Sequence, residues 1–220
     1  MARYDKQAVI AKIKEAPIVP VFYNKDTDVA KNVIKACYNG GIRVFEFTNR
    51  GDFAHEIFTE LVKFAAVECP DLALGIGSVV DPATAALYIQ LGACFVVGPL
   101  FNPEVAKICN RRLIPYTPGC GSITEVGNAQ EAGCDLCKVF PGDVLGTKFV
   151  KGLLGPMPWS KIMVTGGVEP TAENLLSWFS AGVFCVGMGS KLFPKDRIDG
   201  KDWDFISGKC QEALSCVMQV

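Results

Sequence analysis

One recurring pattern constrains the fold of this chain most: a helix-like segment ends at glycine, and a short apolar run follows within a few residues. The pattern occurs in NGGIRVFEF (39–47), QLGACFVVG (90–98), EAGCDLCKVF (131–140) and SAGVFCVGMG (180–189). Glycine ends a helix by adopting a left-handed conformation, and a short apolar run is typical of a strand covered on both faces. The pattern therefore indicates helices that alternate with buried parallel strands.

Further apolar runs resemble strands at residues 17–22, 72–77, 112–118 and 160–167. Helical stretches follow the strand-like runs at about 27–39, 53–67, 82–91, 102–110, 122–132, 144–153, 171–181 and 202–217. A further helix is expected before the first strand. This alternation predicts an α/β fold, a (β/α)8 TIM barrel with an extra N-terminal helix, as a single domain over residues 1–220. The alternative is a doubly wound open sheet, since alternation alone does not show closure.

Polar residues and prolines mark several of the predicted helix starts. The pairs are Asp81 with Pro82, Asn102 with Pro103, Ser122 with Glu125, and Glu169 with Pro170. The helix at 144–153 has the least support, because its sequence contains several glycines. The polar, turn-rich stretch 193–205 is expected to lead into the last helix.

The charge balance argues against strongly charged partners. The formal net charge is -1, so nothing indicates binding to nucleic acid or to an anionic membrane. The opening residues MARYDKQAVIAKIKEAP are charged and amphipathic, unlike a secretory signal, and no apolar run approaches the roughly 20 residues that span a bilayer. We therefore expect a cytoplasmic protein in which local groups bind any anionic ligand.

Cysteine is abundant, with ten residues in the chain. Cys134 and Cys137 match C-x-x-C, but no second such pair exists and His55 is the only histidine. A zinc site therefore lacks ligands, and a Ser-His-Asp triad has little support. We predict that the cysteines pack as small apolar side chains and that no metal is bound.

Two charged residues interrupt predicted strands near the ends where a barrel carries its active site. Glu46 lies in VFEFTNRG and Lys138 in CDLCKVFPG. By strand alternation Thr48 shares a face with Glu46, and Phe140 shares one with Lys138. If the neighbouring apolar residues pack on the helices, both charges point into the barrel.

Two interpretations of this pair remain. A structural Glu46–Lys138 ion pair is one, although buried pairs rarely add stability over apolar packing. The other is nucleophilic catalysis, because a desolvated lysine favours its neutral amine, which can attack a carbonyl and form a Schiff base. Glu46 would then transfer protons.

Glycine-rich turns follow the last two predicted strands, in VTGGVEP (164–170) and VGMGSKLF (186–193). Backbone N–H groups at such turns bind phosphate, and barrels usually bind it there. Ser78 and Pro99 end the third and fourth strands, where a helix cap or a turn is the simpler interpretation.

Together the motifs resemble the 2-keto-3-deoxy-6-phosphogluconate (KDPG) aldolases and their relatives that act on 4-hydroxy-2-oxoglutarate (KHG). FEFTNRG, CKVFPG and VTGGVEP follow the order E-x-T-x-R, K-x-F-P and T-G-G of that family. The resemblance implies a class I aldolase, a lyase on a (β/α)8 barrel that cleaves a phosphorylated keto-sugar acid. It also implies a homotrimer and no requirement for a cofactor.

The resemblance further implies a role for individual residues. Lys138 corresponds to the Schiff-base lysine and Glu46 to the general acid/base. The implied substrate-binding residues are Arg50 and Ser78 for the carboxylate, Pro99 and Phe140 for the carbonyl pocket, and Thr165 for the intermediate. The implied phosphate-binding residues are Gly166, Gly167, Gly189 and Ser190.

Three positions depart from the family pattern and leave substrate choice open. Serine replaces threonine at position 78, Lys191 stands where some relatives have tryptophan, and Met188 lengthens the last turn. The alternatives are therefore cleavage of KHG to pyruvate and glyoxylate, a phosphate-binding barrel isomerase or synthase without lysine chemistry, and a metabolite-binding barrel without enzymatic activity.

Overall fold

The computed structural model describes residues 2–218, and its strands form a closed parallel barrel. The strands are β1 (Ile18–Phe22), β2 (Val44–Thr48), β3 (Ala73–Gly77), β4 (Val96–Val97), β5 (Tyr116–Thr117), β6 (Gly119–Cys120), β7 (Leu136–Val139), β8 (Lys161–Thr165) and β9 (Cys185–Met188). β1 pairs in parallel with both β2 and β9. The two ends of the strand order are β5 and β6, which are consecutive in the chain and separated only by Pro118, so the sheet closes on itself. The predicted (β/α)8 barrel is therefore confirmed, and the doubly wound open sheet is wrong.

β5 and β6 together fill one strand position, which Pro118 divides. β5 pairs with β4 and β6 pairs with β7, so the two segments join the two halves of the sheet. Proline has no N–H to give to the sheet, but the Pro118 carbonyl accepts the Lys138 N–H at 2.8 Å. The strand predicted at 112–118 is thus shifted toward its carboxyl end and split.

The two faces of each strand pack into two separate apolar clusters. Phe45 belongs to the outer cluster, between the strands and the helices, whereas Val44 belongs to the inner one. In β7, Leu136 also belongs to the inner cluster. Because side chains alternate along a strand, Glu46 and Lys138 face the barrel interior, as predicted.

The extra N-terminal helix, α1 (Lys6–Glu15), covers the amino-terminal end of the barrel. Its Val9 and Ile13 are 1% and 3% exposed and belong to the inner cluster. The helix begins after Asp5, whose carboxylate accepts the Ala8 N–H at 2.8 Å. A substrate must therefore enter from the carboxyl ends of the strands.

The remaining helices surround the barrel. They are α2 (Thr27–Asn39), α3 (Ala54–Glu68), α4 (Pro82–Gln90), α5 (Pro103–Arg111), α6 (Ile123–Glu131), α7 (Gly142–Leu154), α8 (Ala172–Phe179), α9 (Lys195–Asp199) and α10 (Trp203–Val217). Asp81, Asn102 and Ser122 cap α4, α5 and α6 as predicted. Among residues 2–218, no helix is both long and apolar enough to cross a membrane.

Three helices differ from the prediction. α8 begins two residues after Pro170, with Thr171 as its cap, because the Asn174 side chain bonds Gly167 and Glu169 and keeps this segment as a loop. α7 is interrupted at Gly146, whose φ of 72° lies outside the helical region. α9 forms inside the polar, turn-rich stretch 193–205, for which no separate helix was predicted.

Candidate active site

Glu46 and Lys138 lie on strands β2 and β7, which are well separated around the barrel. They are 1% and 6% exposed, and both project into the interior near the carboxyl ends of their strands. A carboxylate and an amine are thus enclosed in one apolar space, as the sequence predicts. Their enclosure strengthens any charge interaction between them and a bound ligand.

The Glu46 carboxylate fits because the neighbouring strand has no side chain beside it. Glu46 is paired with Gly75 in the register of β2 and β3, and Thr48 is paired with Gly77. A Cβ atom at Gly77 would overlap the Glu46 carboxylate. The side chain therefore bends along the barrel axis and places its carboxylate at the level of Gly77.

We expect Gly77→Ala to destabilise the protein by about 1–3 kcal/mol, because the added methyl group overpacks a closed interior. The variant should also lose most of its activity, since Glu46 must move. Urea unfolding and steady-state kinetics would measure the two effects. Gly127→Ala in α6 is the control, because no atom lies within 4 Å of its added Cβ. An unchanged Gly77→Ala variant would contradict this account of Glu46.

Burial raises the pKa of Glu46, and the positive charges of Lys138 and Arg50 partly oppose that rise. No ion pair among residues 2–218 joins Glu46 to Lys138. The Glu46 Oε2 atom is buried without a hydrogen-bond partner. The structural ion pair is therefore the weaker interpretation, and Glu46 has the raised affinity for a proton that suits a general acid/base.

Two of the predicted pocket residues lie on or next to the strand pair that carries Lys138. The Lys138 Nζ atom is 5.0 Å from the centroid of the Phe140 ring. Lys138 is paired with Gly119 in the register of β6 and β7, and a Cβ atom at Gly119 would overlap the Pro99 carbonyl. The structure thus brings Phe140 to the lysine and Pro99 to the neighbouring strand, β6.

Arg50 and Ser78 are in direct contact at the mouth of the barrel. The Arg50 Nε donates a hydrogen bond to the Ser78 Oγ at 3.2 Å. Ser78 adopts a left-handed backbone conformation with a φ of 61°, a strain that is found often at functional sites. The contact leaves the other guanidinium N–H groups available for a carboxylate.

The two glycine-rich turns follow adjacent strands, since Thr165 of β8 is paired with Gly187 of β9. Gly166 and Gly167 both have positive φ values, 96° and 69°. Such backbone requires glycine, so the turn that the sequence identified has the conformation expected of it. The Thr165 Oγ1 is buried without a hydrogen-bond partner, beside Gly187.

An ion pair joins these two turns. The Lys191 Nζ lies 3.0 Å from the Glu169 Oε1, and both side chains remain partly exposed, at 64% and 42%. Asp143 is a second carboxylate here, because its Oδ1 lies against Gly166. The region predicted to bind phosphate therefore contains two carboxylates as well as a lysine.

The C-x-x-C pair belongs to the packing of the outer cluster. Cys134 and Cys137 are buried and free. Burial raises the pKa of Cys134 to about 12, and the contact with Cys120 together with burial raises that of Cys137 further. Such thiols are inert at neutral pH, so the interpretation as packing is confirmed.

One residue of the interior was given no role by the sequence reasoning. Thr48 is 0% exposed, faces the interior two residues beyond Glu46, and its Oγ1 has no hydrogen-bond partner. The sequence alone indicated the interior position of Thr48, because strand alternation places this polar side chain on the same face as Glu46.

Comparison with known proteins relates this arrangement to one family. The family model described as "Aldolase: KDPG and KHG aldolase" matches residues 9–209. A 2-dehydro-3-deoxy-phosphogluconate aldolase of Pseudoalteromonas atlantica is 34% identical over 203 residues, which is 91% of each chain. A KHG/KDPG aldolase of Escherichia coli K12 is 30% identical over 90% of this chain and 91% of its own.

A solved structure gives the same fold. It is a KDPG aldolase of Legionella pneumophila with pyruvate captured as a covalent carbinolamine intermediate, and its TM-score to this chain is 0.81. The sequences are 27% identical, and the match covers 92% of this chain and 96% of the other. The likeness therefore extends over nearly the whole of both proteins.

Proposed function

Since this chain belongs to the KDPG and KHG aldolase family, we propose that it is a single-domain class I aldolase. Its proposed reaction is the cleavage of 2-keto-3-deoxy-6-phosphogluconate to pyruvate and glyceraldehyde 3-phosphate. The observation that carries this proposal is the buried Lys138 in one interior with the buried Glu46. The covalent pyruvate adduct of the Legionella pneumophila relative supports it.

Lys138 supplies the nucleophile. Its neutral amine attacks the C2 carbonyl to give a carbinolamine, and loss of water leaves an iminium ion. The C3–C4 bond then breaks, and its electron pair moves into the iminium to form an enamine. Glu46 accepts the proton of the C4 hydroxyl, so the aldehyde departs. Protonation of the enamine at C3 and hydrolysis of the iminium release pyruvate and restore the lysine.

The other site residues bind the substrate so that its C2 carbonyl faces the Lys138 amine. Arg50 is held in place by the hydrogen bond from its Nε to the Ser78 Oγ at 3.2 Å, and its guanidinium binds the carboxylate next to C2. Pro99 and Phe140 form the walls around the carbonyl, and the buried Thr165 hydroxyl donates a hydrogen bond to the intermediate. Gly166, Gly167, Gly189 and Ser190 present backbone N–H groups and a hydroxyl to the phosphate.

Trapping with borohydride tests the lysine chemistry. Incubation with pyruvate and sodium borohydride should add the mass of one reduced pyruvate per chain, and peptide mapping should place it at Lys138. Borohydride without pyruvate is the control. If the mass does not change, or if the adduct lies on another lysine, the proposed function is wrong.

A second substrate has specific support. The carboxylates of Glu169 and Asp143 beside the glycine-rich turns oppose a doubly charged phosphate. KHG carries a carboxylate in place of the phosphorylated tail and needs less positive charge there. The relative in Escherichia coli K12 has both substrates in its name.

Comparison of the two substrates in a Ser190→Ala variant would distinguish them. We expect kcat/KM for KDPG to fall about 10- to 150-fold, because a hydrogen bond to a charged group contributes about 1.5–3 kcal/mol. The value for KHG should stay within about twofold, because Ser190 then has no phosphate to bind. Ser215→Ala on α10 is the control. Equal losses on both substrates would contradict a phosphate role for Ser190.

Assembly, location and pathway complete the proposal. We place the enzyme in the cytoplasm as a homotrimer that serves the Entner–Doudoroff route of carbohydrate metabolism. Exposed large apolar side chains on the segments that follow the strands support an interface with further copies of the chain. Phe53, Leu100 and Val144 are 67%, 47% and 76% exposed. Light scattering of the purified protein measures the assembly, and a monomer would overturn that part.

A further inference from the structure

Arg50 lies on a short segment, residues 49–51, that leaves the barrel after β2. The Asn49 N–H donates to the Gly77 carbonyl at 2.9 Å. Helix α3 begins after Phe53, whose side chain carries no polar atom with which to cap the helix. Backbone between regular elements is mobile unless other groups hold it. The position of the Arg50 guanidinium therefore depends on what contacts this segment.

Tyr88 of α4 reaches the segment from one side. Its hydroxyl donates a hydrogen bond to the Asn49 Oδ1 at 2.8 Å, and the residue is 1% exposed. Its ring packs edge-on against Phe58 of α3, with the ring centroids 5.2 Å apart. Phenylalanine would make the same packing contact without the cost of burying a hydroxyl. Packing alone therefore does not account for the hydroxyl at position 88.

Tyr23, which follows β1, reaches the same segment from the other side. Its hydroxyl occupies the space beside Gly51 where a Cβ atom would lie. Any residue other than glycine at position 51 would therefore displace the tyrosine. The Tyr23 ring lies 5.6 Å from the ring of Phe47 in β2. Asn49 and Gly51, the two neighbours of Arg50, thus each lie against a tyrosine hydroxyl.

Two phenylalanines join the two tyrosines into one aromatic row, Tyr23–Phe47–Phe58–Tyr88. Phe47 and Phe58 are 0% exposed, and their ring centroids are 6.3 Å apart. The row packs in the outer apolar cluster, between the strands and the helices. Aromatic rings at such separations attract one another beyond the effect of the area they bury. Both hydroxyls are therefore presented to the segment from well-packed parts of the core.

We propose that Tyr88 is a positioning residue whose hydrogen bond to Asn49 fixes the backbone that carries Arg50, and that it thereby sets the affinity of the enzyme for the carboxylate of its keto-acid substrate. Tyr23 limits movement of the same segment on its Gly51 side. The inference rests on the proposed aldolase function. It extends the site to a helix, α4, that no sequence motif connected with it.

The contact with Ser78 does not by itself fix Arg50. The hydrogen bond from the Arg50 Nε to the Ser78 Oγ, at 3.2 Å, is exposed and holds only the end of a long side chain. A bidentate contact with a carboxylate needs the guanidinium plane in one orientation. Displacement of a positioning group by about 1 Å can cost about 100-fold in rate. The backbone at residue 50 must therefore be held as well.

The test compares Tyr88→Phe, which removes only the hydroxyl, with wild type in the direction of condensation, where pyruvate and glyceraldehyde 3-phosphate have separate KM values. We expect KM for pyruvate to rise about 5- to 20-fold, part of the roughly 10- to 150-fold expected when a hydrogen bond to a charged group is lost entirely. KM for the aldehyde and kcat should stay within about twofold, because Arg50 binds the ground state and the transition state alike.

Tyr4→Phe is the matched control for loss of a tyrosine hydroxyl. The Tyr4 hydroxyl donates to the Pro70 carbonyl at 2.6 Å, and these residues precede α1 and β3 at the amino-terminal end of the barrel. Both KM values should equal those of wild type in this variant. A purely structural effect of Tyr88→Phe would raise both KM values or lower kcat, and either result would overturn the proposal, as would an unchanged KM for pyruvate.

Two further comparisons test the path from Tyr88 to Arg50. Asn49→Ala removes the acceptor and should lower kcat/KM for pyruvate to a similar extent. The double variant Tyr88→Phe/Asn49→Ala should be no worse than either single variant, because both remove one interaction. In an Arg50→Ala background, Tyr88→Phe should have no further effect on kcat/KM. Additive losses in the double variant, or an effect of Tyr88→Phe that persists without Arg50, would show that the role is wrong.

Borohydride trapping distinguishes failure of this inference from failure of the proposed function. Wild type and Tyr88→Phe should both form the pyruvate adduct at Lys138, and the variant should need more pyruvate for half-maximal trapping. If both are trapped at the same pyruvate concentration, the aldolase assignment stands and the role of Tyr88 is wrong. If wild type forms no adduct, the proposed function itself is wrong, and the inference is wrong with it.

Discussion

Lys138→Ala should abolish aldolase activity, with a fall in kcat of roughly 10⁴- to 10⁶-fold, as follows when a covalent nucleophile is removed. The alanine variant has no amine to form the carbinolamine, so the pyruvate adduct should also vanish. Steady-state kinetics and intact-mass measurement after borohydride treatment would record the two losses. Removal of the buried amine should not unfold the protein, because a polar group is costly to bury in the apolar interior.

Lys161→Ala is the matched control for this prediction. Lys161 begins β8, the strand next to Lys138, and is paired with Leu136 at the amino-terminal end of the barrel. The alanine variant should keep full activity and form the same adduct. An undiminished adduct in Lys138→Ala would contradict the assignment of the nucleophile.

Glu46→Gln should lower kcat by about 10²- to 10⁴-fold, the usual contribution of a general acid/base. Glutamine keeps the shape that Gly77 accommodates but cannot accept the C4 proton. KM should change little, because Arg50 is the residue proposed to bind the substrate carboxylate. Glu104→Gln on α5, where the carboxylate forms an exposed ion pair with Lys107, should leave turnover unchanged. A Glu46→Gln variant within about tenfold of wild-type kcat would contradict this role.

The same substitution should change how stability depends on pH. Burial raises the pKa of Glu46, so the folded protein binds this proton more tightly than the unfolded chain. Its contribution to the free energy of unfolding is therefore greatest below the ordinary glutamate pKa of about 4.3 and declines as pH rises through the raised pKa. Glutamine does not titrate. The stability of Glu46→Gln relative to wild type should thus increase as pH rises, measured by urea unfolding across that range.

The barrel and the orientation of its two buried charges were predictable from local patterns. In VFEFTNRG and CDLCKVFPG the side chains alternate between the two faces of a strand. Because the apolar neighbours pack against the surrounding helices, Glu46 and Lys138 face the barrel interior. The left-handed Gly166 and Gly167 are likewise encoded where they occur. These features depend on a few consecutive residues, and a sequence displays such relations directly.

Other features depend on residues that are distant in the chain. The bend of Glu46 is set by Gly77 on another strand, and no pattern near position 46 indicates it. The late start of α8 follows from the bonds of Asn174 back to the preceding loop. The Lys191–Glu169 ion pair likewise joins two separate turns. Each requires the three-dimensional arrangement before it can be recognised.

The helix that covers the amino-terminal end of the barrel has a consequence for the chemistry at the other end. Val9 and Ile13 of α1 share the inner cluster with Leu136, which lies two residues below Lys138 on the same strand face. This apolar layer keeps the environment of the site low in dielectric constant, because it separates the Lys138 amine and the Glu46 carboxylate from solvent at the amino-terminal end. We expect a polar substitution at Ile13 to admit water from below, so the reactivity proposed for Lys138 would depend in part on the first helix of the chain.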